Sequence, residues 1–272
     1  MRVGPLDAAV EALRGRELPR WDAPRHYDGD RLVEYILVLD TLNFSFWGSG
    51  RGYWQLAESL RDAFAGGDPL WEPARLLELD ATGLAAVIGD FPIPERRVAA
   101  LHELARLAER EAGGALAGLV PPSALELASY LSRNLESFRD VASYGELEVP
   151  FLKRAQIAAA DLWGSGAIAF PDVEQLTCFA DYKLPQALRH LGTLEYTEHL
   201  ARKVDDWQEL EPGSPEEVEI RAATVVAVEQ LRDRLADGGR ELNAVEVDWL
   251  LWDYSQALFP VRPHHRVRTV FY

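Results

Sequence analysis

The chain has 272 residues, and its 44 acidic and 28 basic side chains give a formal net charge of −16 at pH 7. Proteins that bind long DNA or RNA neutralise the phosphates with lysine and arginine, so this charge argues against a long nucleic acid as partner. A local basic cluster can still hold a single phosphate group, so a small phosphorylated ligand is compatible with this composition.

The remaining composition is that of a globular protein, with 48% hydrophobic residues. No stretch reaches the apolar length of a membrane span and the N-terminus lacks a signal-peptide pattern, so we expect a cytoplasmic protein without a membrane partner. Cys178 is the only cysteine, which excludes an internal disulfide and a cysteine-based zinc cluster.

Apolar periodicity and capping residues predict helices along most of the chain. Residues 68–94 are expected to form short helices and turns, residues 139–150 a loop or a small hairpin, and residues 262–272 an extended tail. The longer predicted helices span residues 5–14, 31–47, 53–64, 95–111, 121–138, 151–162, about 172 to 178, 186–191, 214–235 and 243 to beyond 253. The predicted fold class is all-α: one globular helical domain over residues 1–272 with at most a minor β element.

Two stretches concentrate groups that can contact a ligand. Residues 178–185 hold two aromatic rings, a carboxylate and an amine, and end in Pro185. Because proline disfavours helical backbone at the preceding residue, this stretch is expected to end one helix and turn into the next. In residues 249–254, Asp253 lies between Trp252 and Tyr254 in an otherwise apolar run. We expect the two stretches to face each other across one pocket.

Asp253 has two interpretations. It can cap a helix or pair with an arginine such as Arg221, as many structural acids do. Alternatively it is a catalytic carboxylate, because an acid between aromatic rings in a site of low dielectric can stabilise a developing cation or activate a water. An ionised group in such surroundings is costly unless it has a partner or a task.

The aromatic and acidic residues nearby also leave alternatives open. Asp181 is either an N-cap or turn acid, or an acceptor for adjacent N–H donors such as the edge of a guanine-like base. Phe179 and Tyr182 both suit a core, and Phe179 is also placed to stack on a flat ring. Phe46 belongs to an aromatic and polar run before Gly48, which suits the wall of a pocket.

The basic residues and histidines are less specific. Lys153, Arg154 and Lys183 form either a phosphate site or solvated positions paired with acids. His264 and His265 are adjacent, and adjacent side chains on a strand point to opposite faces, so we expect no metal site. His26, taken alone, looks like a residue of a surface turn.

Five segments resemble the queuosine salvage proteins, which are queuosine 5′-phosphate N-glycosidases. The similarity begins near residue 30 and keeps the same order to the last residue, whereas the first 30 residues match loosely. The segments are Asp40-Thr41-Leu42-Asn43-Phe44-Ser45-Phe46-Trp47, Lys153-Arg154-Ala155-Gln156, Phe179-Ala180-Asp181-Tyr182-Lys183-Leu184-Pro185-Gln186, Glu217-Val218-Glu219-Ile220-Arg221 and Trp252-Asp253-Tyr254.

The resemblance implies an all-helical fold related to the DNA glycosylases. It also implies hydrolysis of queuosine 5′-monophosphate to queuine and ribose 5-phosphate, which serves queuine salvage for tRNA modification. The family's catalytic carboxylate falls on Asp253, and its substrate contacts fall on Phe179, Asp181, Tyr254 and His26. From their residue types we add Lys153, Lys183 and Phe46 as substrate-binding residues. No cofactor is expected, and we expect a monomer.

One departure from the family pattern concerns the residues after the Trp-Asp-Tyr motif. The family carries a further acid there, whereas this chain has Ser255-Gln256-Ala257-Leu258. This difference puts in question the contact that the acid makes with the amino-diol arm of the ligand.

The implied chemistry suits the residues. N-glycoside cleavage passes through an oxocarbenium-like state, which a carboxylate beside C1′ stabilises. Queuine is a 7-deazaguanine and lacks the N7 that can be protonated in ordinary purines, so ribose-side stabilisation by Asp253 and hydrogen bonds from the base to Asp181 would divide the work. The alternatives are a non-catalytic binding protein for modified nucleobases or nucleotides, a nucleic-acid glycosylase and a metal-dependent hydrolase.

Overall fold

The computed structural model describes residues 1–22 and 24–272, and this part of the chain holds twelve α-helices and four short β-strands. The prediction of a mostly helical fold with a minor β element is confirmed. No helix among the described residues is long and apolar enough to span a membrane. The helices are α1 (Asp7–Arg14), α2 (Leu32–Leu42), α3 (Tyr53–Ala65), α4 (Pro73–Glu78), α5 (Ala81–Ile88), α6 (Pro94–Glu111), α7 (Ala124–Asn134), α8 (Lys153–Gly164), α9 (Lys183–His190), α10 (Glu198–Asp205), α11 (Pro215–Asp237) and α12 (Ala244–Gln256).

The described residues form two compact units, and the prediction of a single domain stays a prediction. The first unit comprises Met1–Pro19, Val141–Lys153 and Glu174–Arg268. The second comprises Arg20–Asp140, Arg154–Val173 and Thr269–Tyr272.

The strands lie in the first unit and form two small antiparallel pairs. Strand β1 (Arg2–Val3) pairs with β4 (Leu194–Glu195), so the N-terminus is tied to the turn after α9. Strands β2 (Val141–Tyr144) and β3 (Leu147–Pro150) form a hairpin. Of the two predictions for residues 139–150, the hairpin is therefore the correct one.

The core of the first unit is built from α1, α9, α11 and α12. Helix α11 begins as predicted, because the Ser214 side chain accepts the N–H of Glu217 and Pro215 takes the first helical position. Helix α12 begins with a capping box between Asn243 and Glu246. The buried members of this core are Ala9, Val10, Leu13, Cys178, Leu184, Leu188, Leu194, Ala227, Val228, Leu231, Leu235, Val247, Leu250 and Leu251.

The structure corrects the prediction around Pro185. A 3₁₀ turn covers Val173–Gln175, residues 176–182 are irregular, and α9 begins at Lys183. Pro185 thus lies in the first turn of α9, where a backbone N–H has no acceptor within the helix and its loss costs little. The predicted helix from residue 172 into this stretch is not formed, and Pro185 helps to begin a helix instead of ending one.

In the second unit, α2 is buried along nearly its whole length and ends at Leu42, five residues before the predicted end at Trp47. The last carbonyl groups of a helix lack partners within it. Arg154 donates to the carbonyls of Asp40 and Thr41, and Arg97 donates to that of Leu42. Two buried guanidinium groups therefore supply hydrogen-bond donors to the last carbonyls of α2.

Candidate active site

In the first unit, the irregular segment of residues 176–182 is held by two buried side chains of the helices around it. The N–H of Phe179 donates to Oδ2 of Asp248 on α12 at 2.7 Å. Arg221 on α11 donates through Nε to the carbonyl of Ala180 at 2.9 Å. Phe179 itself is buried. Adjacent residues of this segment are thus held in place by α12 and α11.

Asp181 organises the beginning of α9. Its Oδ1 accepts the N–H of Lys183 at 2.6 Å and that of Leu184 at 3.2 Å, which is the geometry of a turn acid that caps a helix. The predicted alternative of a structural turn acid is therefore realised in the structure. Oδ2 accepts no hydrogen bond from the described part of the chain. Oδ2 of Asp181 is therefore the oxygen that can accept a hydrogen bond from a ligand.

Asp248 is a buried acid that the sequence interpretation passed over. Only 3% of its surface is exposed, and burial raises the pKa of its carboxyl group well above the ordinary value. The charge of Asp181 raises this pKa further, whereas the hydrogen bond from Phe179 and the charge of Lys153 lower it. Phe179, Asp181 and Lys153, which are all predicted site residues, thus influence the pKa of Asp248.

The two predicted lysines have different surroundings. Lys153, the first residue of α8, is buried, so the alternative of a solvated side chain is wrong for it. Lys183 is half-buried. Burial lowers the pKa of His264, and the charge of Lys183 lowers it further. The ring of His264 lies 4.5 Å from that of Tyr182, the residue before Lys183.

Asp253 lies on α12 and is more open than predicted. About half of its side chain (49%) is exposed, and its Oδ2 accepts a hydrogen bond of 2.8 Å from Nη1 of Arg16. The prediction of low-dielectric surroundings for Asp253 is therefore wrong. The predicted arginine partner, Arg221, instead pairs with Glu217.

Tyr254 shares the same arginine. The guanidinium carbon of Arg16 lies 5.0 Å from the centre of the Tyr254 ring. Arg16 thus contacts both the acid and the aromatic ring of the Trp-Asp-Tyr motif, through an ion pair and a cation–π contact. No sequence pattern predicts this partner, because Arg16 lies 237 positions away from Asp253 in an N-terminal connection.

In the second unit, His26 is buried, which contradicts the prediction of a surface turn residue. Its ring stacks on that of Trp21 at 3.9 Å, Nδ1 lies 3.2 Å from the carbonyl of Asp22 and Nε2 lies 2.8 Å from the Tyr53 hydroxyl. Burial lowers the pKa of His26 to about 4. Because a carbonyl only accepts, Nδ1 carries the proton and Nε2 accepts the tyrosine O–H.

Phe46 lies in the turn after α2 in the second unit, with its ring half-buried. Its ring meets that of Phe91 edge to face at 5.8 Å, and the guanidinium of Arg97 lies 5.6 Å from its centre. Arg154, predicted as one of three phosphate-binding cations, is buried and donates to backbone carbonyls. Of the three predicted phosphate-binding cations, Lys153 and Lys183 therefore remain candidates.

The donors present do not suggest a metal centre. Within residues 1–22 and 24–272, no three side chains of His, Cys, Asp or Glu are grouped so as to hold a metal ion. The polar groups described above for the first unit are instead carboxylates, lysines and the guanidinium groups of Arg16 and Arg221.

Comparisons with known proteins point to one family. A family model described as queuosine salvage protein matches residues 23–272. A protein of Sphaerobacter thermophilus named queuosine 5′-phosphate N-glycosylase/hydrolase is 43% identical, over 97% of this chain and 90% of that protein. Proteins of the same name from Dictyostelium discoideum and Mus musculus are 36% and 30% identical, over 88% and 92% of this chain and 78% and 84% of theirs.

Proposed function

Because the chain belongs to the queuosine salvage protein family, which it matches over residues 23–272, we propose that it hydrolyses queuosine 5′-phosphate to queuine and ribose 5-phosphate. The observation that carries this proposal is the 43% identity, over 97% of the chain, to a protein named for that activity. A small anionic substrate also fits a chain with a net charge of −16, which is poorly suited to hold a polynucleotide.

Asp253 is the catalytic carboxylate of this proposal. The bond from C1′ to the base breaks, positive charge develops on the ribose ring, and water adds to C1′ while the departing base takes up a proton. A carboxylate beside C1′ stabilises that charge or directs the water. The support is the position of Asp253 in the Trp-Asp-Tyr motif and its oxygen Oδ2 being held by Arg16 at 2.8 Å, which leaves Oδ1 for the substrate.

The 176–182 segment receives the base in this proposal. Asp181 accepts N–H groups of the base through Oδ2, because Oδ1 is already engaged by the backbone of α9. Phe179 stacks on the ring system. Lys153 and Lys183 hold the phosphate, and Tyr254 contacts the ligand next to the catalytic acid. Contacts of His26 and Phe46 with the substrate stay predictions.

Some finer predictions also belong to this proposal. We propose that the helical fold is related to that of the DNA glycosylases, which the mostly helical chain and the acid on its last helix support. We propose one domain and a cytoplasmic monomer. A single cooperative calorimetric transition, the monomer mass by light scattering and fractionation of the source cells test these three points.

The test of the function is mass spectrometry of the products from queuosine 5′-phosphate. Wild-type protein should release queuine and ribose 5-phosphate in equal amounts. Asp253→Asn keeps the shape of the side chain but removes its charge, and turnover should fall at least about a hundredfold. Asp233→Asn, an exposed acid on α11, is the matched control and should leave turnover unchanged. Tight binding of the nucleotide by wild-type protein without any release would make this a binding protein instead.

A further inference from the structure

Asp248 connects the two parts of the proposed site, because it contacts the 176–182 segment and lies on the helix of Asp253. Its carboxylate accepts the N–H of Phe179 at 2.7 Å and is almost completely buried. It belongs to α12, the helix that also carries Asp253. Five residues of an α-helix correspond to a rise of about 7.5 Å and a rotation of about 140°. Asp248 therefore faces the 176–182 segment from a different side of the helix than the catalytic acid.

A buried polar side chain is costly unless it is hydrogen-bonded, and the hydrogen bond that Asp248 accepts comes from the N–H of Phe179. The segment that Asp248 holds is irregular, so no helix or strand fixes the directions of its side chains. The two residues proposed to contact the base, Phe179 and Asp181, both lie in it.

We propose that Asp248 is a positioning residue for the reaction. It holds Phe179, and with it the base-binding segment of residues 176–182, at a fixed position relative to Asp253, because both acids lie on the rigid backbone of α12. This inference rests on the proposed function. Asp248 acts through the Phe179 N–H and has no contact with the substrate. Arg221 holds the same segment at the next residue, because it donates to the carbonyl of Ala180.

The experiment compares how the two products bind. Queuine contacts the base-binding segment, whereas ribose 5-phosphate does not. Asp248→Ala should therefore weaken queuine binding about tenfold in calorimetry and leave the inhibition constant of ribose 5-phosphate unchanged. Asp248→Asn keeps an oxygen that accepts the N–H, so its queuine affinity should stay within about threefold of wild type.

The control is Thr193→Val, which removes a buried hydroxyl that donates to the carbonyl of Pro5 in the same unit. Both binding constants should be unchanged in it. Equal weakening of both products in Asp248→Ala, or no change in either, would overturn the positioning role. If Asp248→Ala does not fold, Asp248→Leu takes its place, because leucine fills a similar volume without an acceptor oxygen and the same selective loss of queuine affinity is expected. Failure of the proposed function is distinct, since wild-type protein would then release no queuine.

Discussion

Nη1 of Arg16 lies 2.8 Å from Oδ2 of Asp253. The arginine precedes the region that matches the family, which begins at residue 23, whereas the acid lies in the motif that carries the proposed chemistry. The ion pair fixes one oxygen of the carboxylate and brings a positive charge close to it. Arg16 thus affects both the direction and the effective charge of the proposed catalytic group.

Replacing Arg16 separates these two effects. About a third of Arg16 (32%) and half of Asp253 (49%) are exposed, so solvent screens the pair and its contribution to stability is below about 1 kcal/mol. Loss of orientation should dominate, and Arg16→Ala should lower kcat for queuine release about tenfold with little change in KM. Arg16→Lys should retain most of the rate, and Arg232→Ala on α11 is the control. A faster Arg16→Ala enzyme would show that neutralisation by Arg16 is the larger effect.

Arg154 should be essential for stability. Its guanidinium is buried and donates to the carbonyls of Asp40, Thr41, Ser137 and Val270. Arg154→Met would leave these carbonyls without donors, and each buried group that loses its partner costs about 1–3 kcal/mol. We expect the free energy of unfolding in urea to fall by at least about 3 kcal/mol. Arg234→Ala, an exposed arginine, should change it by less than about 0.5 kcal/mol. Equal effects of the two variants would contradict this role.

His26 should make stability depend on pH. Burial lowers its pKa from 6.5 to about 4 in the folded chain, so between these values the unfolded chain binds a proton that the folded chain does not. The contribution of His26 is therefore complete above pH 6.5 and is lost as the pH falls towards 4, at up to about 1.4 kcal/mol per pH unit. Urea unfolding at pH 7, 6 and 5 should show this decline.

The matched variant for this prediction is His26→Gln, which does not titrate. Its free energy of unfolding should decline less steeply with falling pH than that of wild type. Residual dependence is expected from His264, because burial lowers its pKa to about 4 as well. An unchanged slope in His26→Gln would show that His26 does not titrate as described.

The local elements of this fold could be predicted, whereas the partners of the site residues could not. Capping residues such as Ser214 and Asn243 act within a few positions of the chain, so they marked the beginnings of α11 and α12 correctly. Arg16 and Asp253 are 237 positions apart, and Phe179 and Asp248 are 69 apart. Only tertiary packing brings such residues together, and no spacing in the sequence reports it.

The same limit explains the error at Arg154. With Lys153 and Lys183, it was interpreted either as one of three phosphate-binding cations or as a solvated residue paired with an acid. The partners that decide its role are carbonyl groups, and every residue type has one. A carbonyl acceptor is not tied to any residue type. The sequence alone therefore does not distinguish an arginine that caps a helix end from an arginine that binds a ligand.

Cys178 offers a direct test of the core of the first unit. Its side chain is 1% exposed, and burial raises the pKa of the thiol well above its ordinary value. The reactive thiolate is therefore scarce as well as inaccessible, and the native protein should not react with Ellman's reagent at pH 8 within an hour. In guanidinium chloride one equivalent should react, because this is the only cysteine.

At intermediate denaturant, queuosine 5′-phosphate should slow the reaction, since a ligand of the native state lowers the population of opened molecules. Rapid labelling of the native protein would show that the packing around α9 and α12 is looser than described.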